Sequence, residues 1–188
     1  MTTRRIVLFG GGGLLVLAGC GSSTTTQQTA APGRTVTTVL SADSDLTRFV
    51  TAVRRTSFDE ALSGSGPYTV FAPTNSGWGS IPLSVREAAL PENGPIDSVR
   101  ARALVGAHIV EGRHSLSEFS GKKTTLTTVN GNRIIVDGTD TSKVTVVSDG
   151  GGYSAGGSVA LWGSSTIARA DIVAANGIVH VVDKAVLP

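Results

Sequence analysis

Apolar residues recur along this chain in two rhythms, and the rhythm changes near the middle. In the first half the spacing is helical. Leu46, Phe49, Val50 and Val53 fall at i, i+3, i+4 and i+7, one face of a helix that Asp43 or Asp45 can cap. Ser57 and Glu60 have capping-box spacing, Phe58 and Leu62 carry on the apolar face, and Gly64 to Pro67 end this second helix. Ser84 and Glu87 repeat the box ahead of a short Ala-rich helix closed by Pro91 to Pro95. Ile96, Val99, Ala103 and Leu104 mark a further helix, which runs into the strand-like His108-Ile109-Val110.

One stretch breaks the helical pattern. Tyr68, Thr69, Val70 and Phe71 are aromatic or β-branched, as on a buried strand, and Pro73 stops the strand because it lacks an amide hydrogen. Thr74 and Asn75 are turn and cap formers, and Trp78 supplies a large apolar anchor.

The second half reads as strands. Thr124 to Val129 and Arg133 to Val136 flank Asn130-Gly131, a pair that tolerates the positive φ of a tight hairpin. Lys143 to Val147, Ser158 to Trp162 and Ile178 to Val182 are further strands. Helices first and strands afterwards predict an α+β fold, not an alternating one.

Composition changes the picture at the N-terminus. Residues 1–20 read as an export signal: Arg4 and Arg5, an apolar stretch from Ile6 to Val16, and Leu17-Ala18-Gly19-Cys20. That ending resembles the lipobox of bacterial lipoproteins, which implies lipidation of Cys20, the chain's single cysteine, and an exported protein anchored in the cell envelope. An ordinary secretory signal followed by a chance cysteine is the other reading, and it also exports the chain. Residues 21–34 are small, polar and aperiodic, a tether. Residues 35–188 have the size of one domain with one core. The chain carries 16 basic and 14 acidic residues. Removing Arg4 and Arg5 balances them, so the basic character gives no case for nucleic acid.

Three ordered motifs carry a resemblance. Tyr68 to Trp78, YTVFAPTNSGW, resembles the first signature of fasciclin domains, with Phe71, Pro73, Thr74 and Asn75 at its centre. Asn176 to Pro188, NGIVHVVDKAVLP, resembles the second, with Asn176, Gly177, His180 and Asp183. Ala107 to Gly112 is similar to the element between them, with His108. The resemblance covers nearly all of residues 35–188. It implies a β-sandwich-like wedge decorated with helices, and a role in adhesion, matrix contact or ligand binding. Asp171-Ile172 matches an Asp-Ile dipeptide tied to integrin contacts in animal members. Ala107 stands where the tyrosine of the companion Tyr-His pair would be, so the resemblance is carried only as far as adhesion in general, with Asp171 and Ile172 as interaction candidates. Gly77 and Trp78 replace the family's usual Ala and Phe, a change of packing.

Candidate chemistry is sparse. Thr74, Asn75, Asn176 and Asp183 serve either as caps and turns or as ligand contacts. His108 and His180 sit in apolar runs, where histidine is hydrogen-bonded core more often than ligand, and the two are expected near each other, tying helices to sheet. No metal-ligand spacing and no cofactor motif is present in the sequence. Gly152-Tyr153-Ser154-Ala155-Gly156 satisfies Gly-x-Ser-x-Gly, with Asp171 and His180 following in hydrolase order, but no helix-forming stretch follows Ser154. Asp149 to Gly157 reads better as a hairpin loop. The readings carried forward are three: a lipid-anchored domain binding a protein or polysaccharide; a carrier of an apolar small molecule in the wedge, walled by Trp78, Trp162 and Tyr153; and a serine hydrolase using Ser154.

Overall fold

The computed structural model describes residues 33–149 and 163–188. The export signal with Cys20, nearly all of the tether, the expected strand Ser158 to Trp162 and the segment holding Tyr153 and Ser154 lie outside the described residues. Arg34 is already joined to the domain, since its carbonyl accepts the Ala175 amide at 2.8 Å.

Helices dominate the first part. In order they are α1 (Val36–Ser41), a 3-10 turn (Ser44–Leu46), α2 (Thr47–Arg55) and α3 (Phe58–Ser63). After β1 (Tyr68–Pro73) come α4 (Asn75–Gly79), α5 (Leu83–Ala89) and α6 (Ser98–Gly106). β2 (Ile109–Glu111) and α7 (Leu116–Phe119) lead into β3 (Lys123–Thr127), β4 (Arg133–Asp137), β5 (Thr145–Asp149), β6 (Ser165–Ala174) and β7 (Gly177–Val182).

The seven strands run in the order β2-β1-β7-β6-β5-β4-β3. β1 and β7 are parallel, Tyr68 beside Gly177 through Pro73 beside Val182, and the other pairings are antiparallel. A parallel central pair needs cover on both faces, and every residue of β7 is buried. Alternation along the pair divides the interior in two. Val70, Ala72, Val179 and Val181 face the helices and pack with Leu40, Phe49, Trp78 and Leu104. Phe71 and Val182 face the other way, into a core with Val110, Phe119, Leu126, Ile134 and Val146. The sheet folds back over this second core. Its two ends approach, with a bridge between Val110 and Thr128 and a bond from the Val129 amide to the Ile109 carbonyl.

The architecture is the expected α+β wedge, with local differences. β6 was not anticipated as a strand: two register shifts interrupt its pairing with β7 and break its alternation. Ser57 takes a left-handed conformation, φ 57°, and makes no side-chain cap, while α5 starts at Leu83 behind Pro82 and leaves Ser84 inside the helix. Asp43, rather than Asp45, caps the 3-10 turn. On α6 the buried residues are Ala101, Leu104, Val105 and Gly106, whereas Val99 is 81% exposed. The Asp97 cap sets the start of that helix and rotates Val99 outward.

Candidate functional site

The two signature segments meet along β1 and β7, and the structure assigns each polar residue there a place. Thr74 Oγ1 accepts the Gly77 amide at 3.0 Å and caps α4. Asn75 reaches away from its own helix. Its Oδ1 accepts the Arg48 amide at 2.9 Å and the Thr47 hydroxyl at 3.2 Å, and its Nδ2 donates to the Ser44 carbonyl at 2.9 Å. Asn75 therefore caps α2, an element far earlier in the chain. Trp78 is buried, its indole edge-on to Phe49 with ring centres 5.7 Å apart.

From the other signature, buried Asn176 spends its whole amide. Oδ1 accepts the Val36 amide at 2.8 Å, and Nδ2 donates to the Leu62 and Gly64 carbonyls, each at 2.7 Å. One side chain thus joins the start of α1 to the end of α3. Gly177 has no room for a Cβ, which would collide with the Tyr68 carbonyl. At the far end a Cβ on Gly77 would stand 2.5 Å from the Asp183 carbonyl oxygen, so the signatures touch backbone to backbone at both ends of the pair. Asp183 Oδ1 accepts the Thr166 amide at 2.6 Å and holds the start of β6.

The histidines flank Phe71 from opposite sides. The Phe71 amide donates to the His108 carbonyl at 2.9 Å, and Phe71 sits in register with His180 on β7. Their rings enter different cores, contrary to the expectation that they lie together. His108 packs on Phe49 and Trp78, and His180 stacks on Phe71 and meets Phe119. His108 Nδ1 donates to the Leu104 carbonyl at 2.9 Å and Nε2 accepts the Val186 amide at 2.9 Å, which fixes a neutral ring. Burial pushes its pKa down to about 4, with the Leu104 and Val105 backbone opposing. His180 Nε2 donates to the His114 carbonyl at 2.9 Å, and burial likewise lowers its pKa. The more exposed His114 pairs with Glu118 at 3.1 Å.

Asp171 occupies the irregularity of β6 with φ 54°, a left-handed conformation. Its carboxylate accepts the Leu116 amide at 2.8 Å, at the start of α7, while its own amide points at His180 Nδ1, 3.3 Å away. That arrangement is not an acid-base couple. A catalytic aspartate must hold a protonated Nδ1, and here Nδ1 faces an N–H donor. Ile172 is half-buried against the helix-side core and also lines a surface groove with Arg34, Asp43, Arg169 and Val173, crossed by an Asp43–Arg169 ion pair of 2.6 Å.

Phe49, Trp78, Leu104 and Val181 occupy the space between helices and sheet, and Trp78 is part of that packing. Among the described residues no group of three or more His, Cys, Asp or Glu could hold a metal ion. One structural residue escaped the sequence: Asn130, in the β3–β4 turn, donates to the Arg102 and Ala103 carbonyls and closes the end of α6. Asn before Gly signalled only a hairpin; its second use depends on a helix that lies distant in sequence.

Comparison with known proteins follows the geometry. The family model of the fasciclin domain matches residues 44–188. Protein sll1483 of Synechocystis sp. is 30% identical over 156 residues, covering 82% of this chain and 73% of that protein. Human periostin is 28% identical over 83% of this chain, and the transforming growth factor-beta-induced protein ig-h3 of Sus scrofa 29% over 84%. The chain spans only 16% and 20% of those two proteins. Among solved structures, a FAS1 domain pair from the insect cell adhesion molecule fasciclin I matches with a TM-score of 0.64 at 18% identity, over 84% of this chain and 52% of that one. That likeness is one of fold.

Proposed function

This chain belongs to the fasciclin family, and from that premise we propose that it is an exported binding domain, held to the bacterial envelope by lipid on Cys20, that engages a protein or polysaccharide through its outer surface. The supporting observation is how the signature residues are spent. Thr74 caps its own helix, Asn75, Asn176 and Asp183 bond backbone elsewhere in the domain, and His108 and His180 are neutral core rings. Side chains so committed hold a shape, so recognition falls to exposed residues around them. The groove containing Ile172 is the first such surface, because Ile172 and Val173 offer apolar area beside the Arg34 and Arg169 charges. A similar fold in an insect cell adhesion molecule agrees with an adhesive role.

Two measurements test this. In detergent phase partition the chain should enter the detergent phase and a Cys20→Ala variant the aqueous phase; equal partition rejects the anchor. Beads coated with the full chain should bind host cells or their extracellular polysaccharide, and Ile172→Arg should weaken that binding several-fold while the melting temperature stays within a few degrees. Beads that bind nothing from the host surface reject the adhesive reading.

A further inference from the structure

One face of α2 carries Arg48, Thr51, Ala52 and Arg55 at i, i+3, i+4 and i+7, a single stripe. Across from it stand Arg86 of α5 and Leu90, the residue that ends that helix, and Glu92 follows in the loop. Between them lies a groove of about 410 Å³, within the range of small-molecule sites. Its floor is apolar: Ala52, Leu90 and the indole of Trp78, all buried. Its rim is cationic, three arginines against the one carboxylate of Glu92.

Lack of a carboxylate partner is common among the described arginines, but in this groove three such side chains line one concave surface. Arg100, Arg133 and Arg169 are each paired with an aspartate. Among the described residues, Arg48, Arg55 and Arg86 form no ion pair. Arg55 donates instead to the Pro91 and Gly94 carbonyls at 2.6 and 3.3 Å, which fixes its guanidinium beside the loop that closes the groove. Arg48 and Arg86 have no hydrogen-bond partner for their side chains among the described residues. A rigid fork of donors above an apolar floor is complementary to an oxoanion carried on a flat or short apolar body.

We propose that this groove binds a small organic oxoanion, its phosphate or carboxylate between Arg48 and Arg86 and its apolar part on Trp78 and Leu90. The site lies outside the wedge and uses none of the polar signature residues, so it stands independently of the adhesive reading. The only signature residue it borrows is Trp78, which lines part of the floor.

The test uses phenyl phosphate, with phenol and inorganic phosphate as partial probes. The chain has two tryptophans, so in the full chain carrying Trp162→Phe all indole fluorescence comes from Trp78. Phenyl phosphate should change that fluorescence saturably, with phenol and inorganic phosphate each at least about tenfold weaker. Arg48→Gln with Arg86→Gln should weaken phenyl phosphate about tenfold or more, whereas Arg100→Gln, away from the groove, should leave it unchanged. Absence of saturation, equal binding of phenol, equal binding of inorganic phosphate, or an unaffected double variant would each overturn the proposal.

Discussion

His108 Nε2 accepts the amide of Val186 at 2.9 Å, across 78 positions of sequence, and that bond exists only while the ring is neutral. The unfolded chain takes up a proton near pH 6.5 and the folded chain only near pH 4. Between those values the unfolded state binds more protons, so stability is complete above about pH 6.5 and declines as pH falls toward 4. The loss from His108 amounts to roughly 3 kcal/mol, and His180 adds to it in the same direction. Asp137, held down to about 2 mainly by the Thr139 hydroxyl and then by Lys123, titrates below that window. Urea unfolding at pH 7.5 and 4.5 should show the decline, and His108→Gln should reduce it.

Asn75 and Asn176 both bridge distant elements, yet they should differ in cost. Asn75→Ala removes a half-exposed helix cap and should destabilise by about 1 kcal/mol. Asn176→Ala strands the Val36 amide and two carbonyls in a buried place and should cost roughly 3 kcal/mol or more. Equal costs in denaturant titrations would contradict the burial difference.

Gly177→Ala should unsettle the centre of the sheet, because the new methyl meets the Tyr68 carbonyl and the Val36 side chain and neither can retreat freely. A loss of about 1–3 kcal/mol is expected, from thermal or denaturant unfolding. Gly131→Ala strains a positive φ of 81° in an open turn with nothing near its Cβ, and should cost about 1 kcal/mol.

Asp171→Asn retains an acceptor for the Leu116 amide and tolerates φ 54°, so stability should change by less than about 1 kcal/mol. Asp171→Val loses the acceptor and forces a β-branched residue into the left-handed region, and should cost about 2–4 kcal/mol. A valine variant as stable as the parent in urea unfolding would show that the irregularity of β6 relaxes without cost.

Much of this fold is legible from local pattern. β1 and β7 are dense in β-branched and aromatic residues, and Asn130-Gly131 carries its turn in its own chemistry, with Gly131 at positive φ. β6 is hidden because Arg169, Ala170 and Asp171 fall where its pairing slips, so neither apolar alternation nor length marks it. α1 is hidden for another reason: Val36, Thr37, Thr38 and Val39 favour strands, and the helix is held by the Asn176 oxygen on the Val36 amide. The motifs themselves are visible, but their partners are not. Asn75 looks like a cap for the helix it begins, and only the folded chain shows it serving α2 instead. The arginine stripe on α2 could have been read from its i, i+3, i+4, i+7 spacing, but the facing Arg86 needed the packing of α5.

The parallel pairing of β1 with β7 also sets an order of events during synthesis. The ribosome delivers Tyr68 to Pro73 long before Gly177 to Val182, yet each is the other's neighbour at the middle of the sheet. Without β7, the strand of Val70, Phe71 and Ala72 would keep an open hydrogen-bonding edge, a template for wrong partners. Such long-range closure is slow and prolongs the exposure of that edge. The arrival of β7 therefore completes the sheet and withdraws that edge from its surroundings.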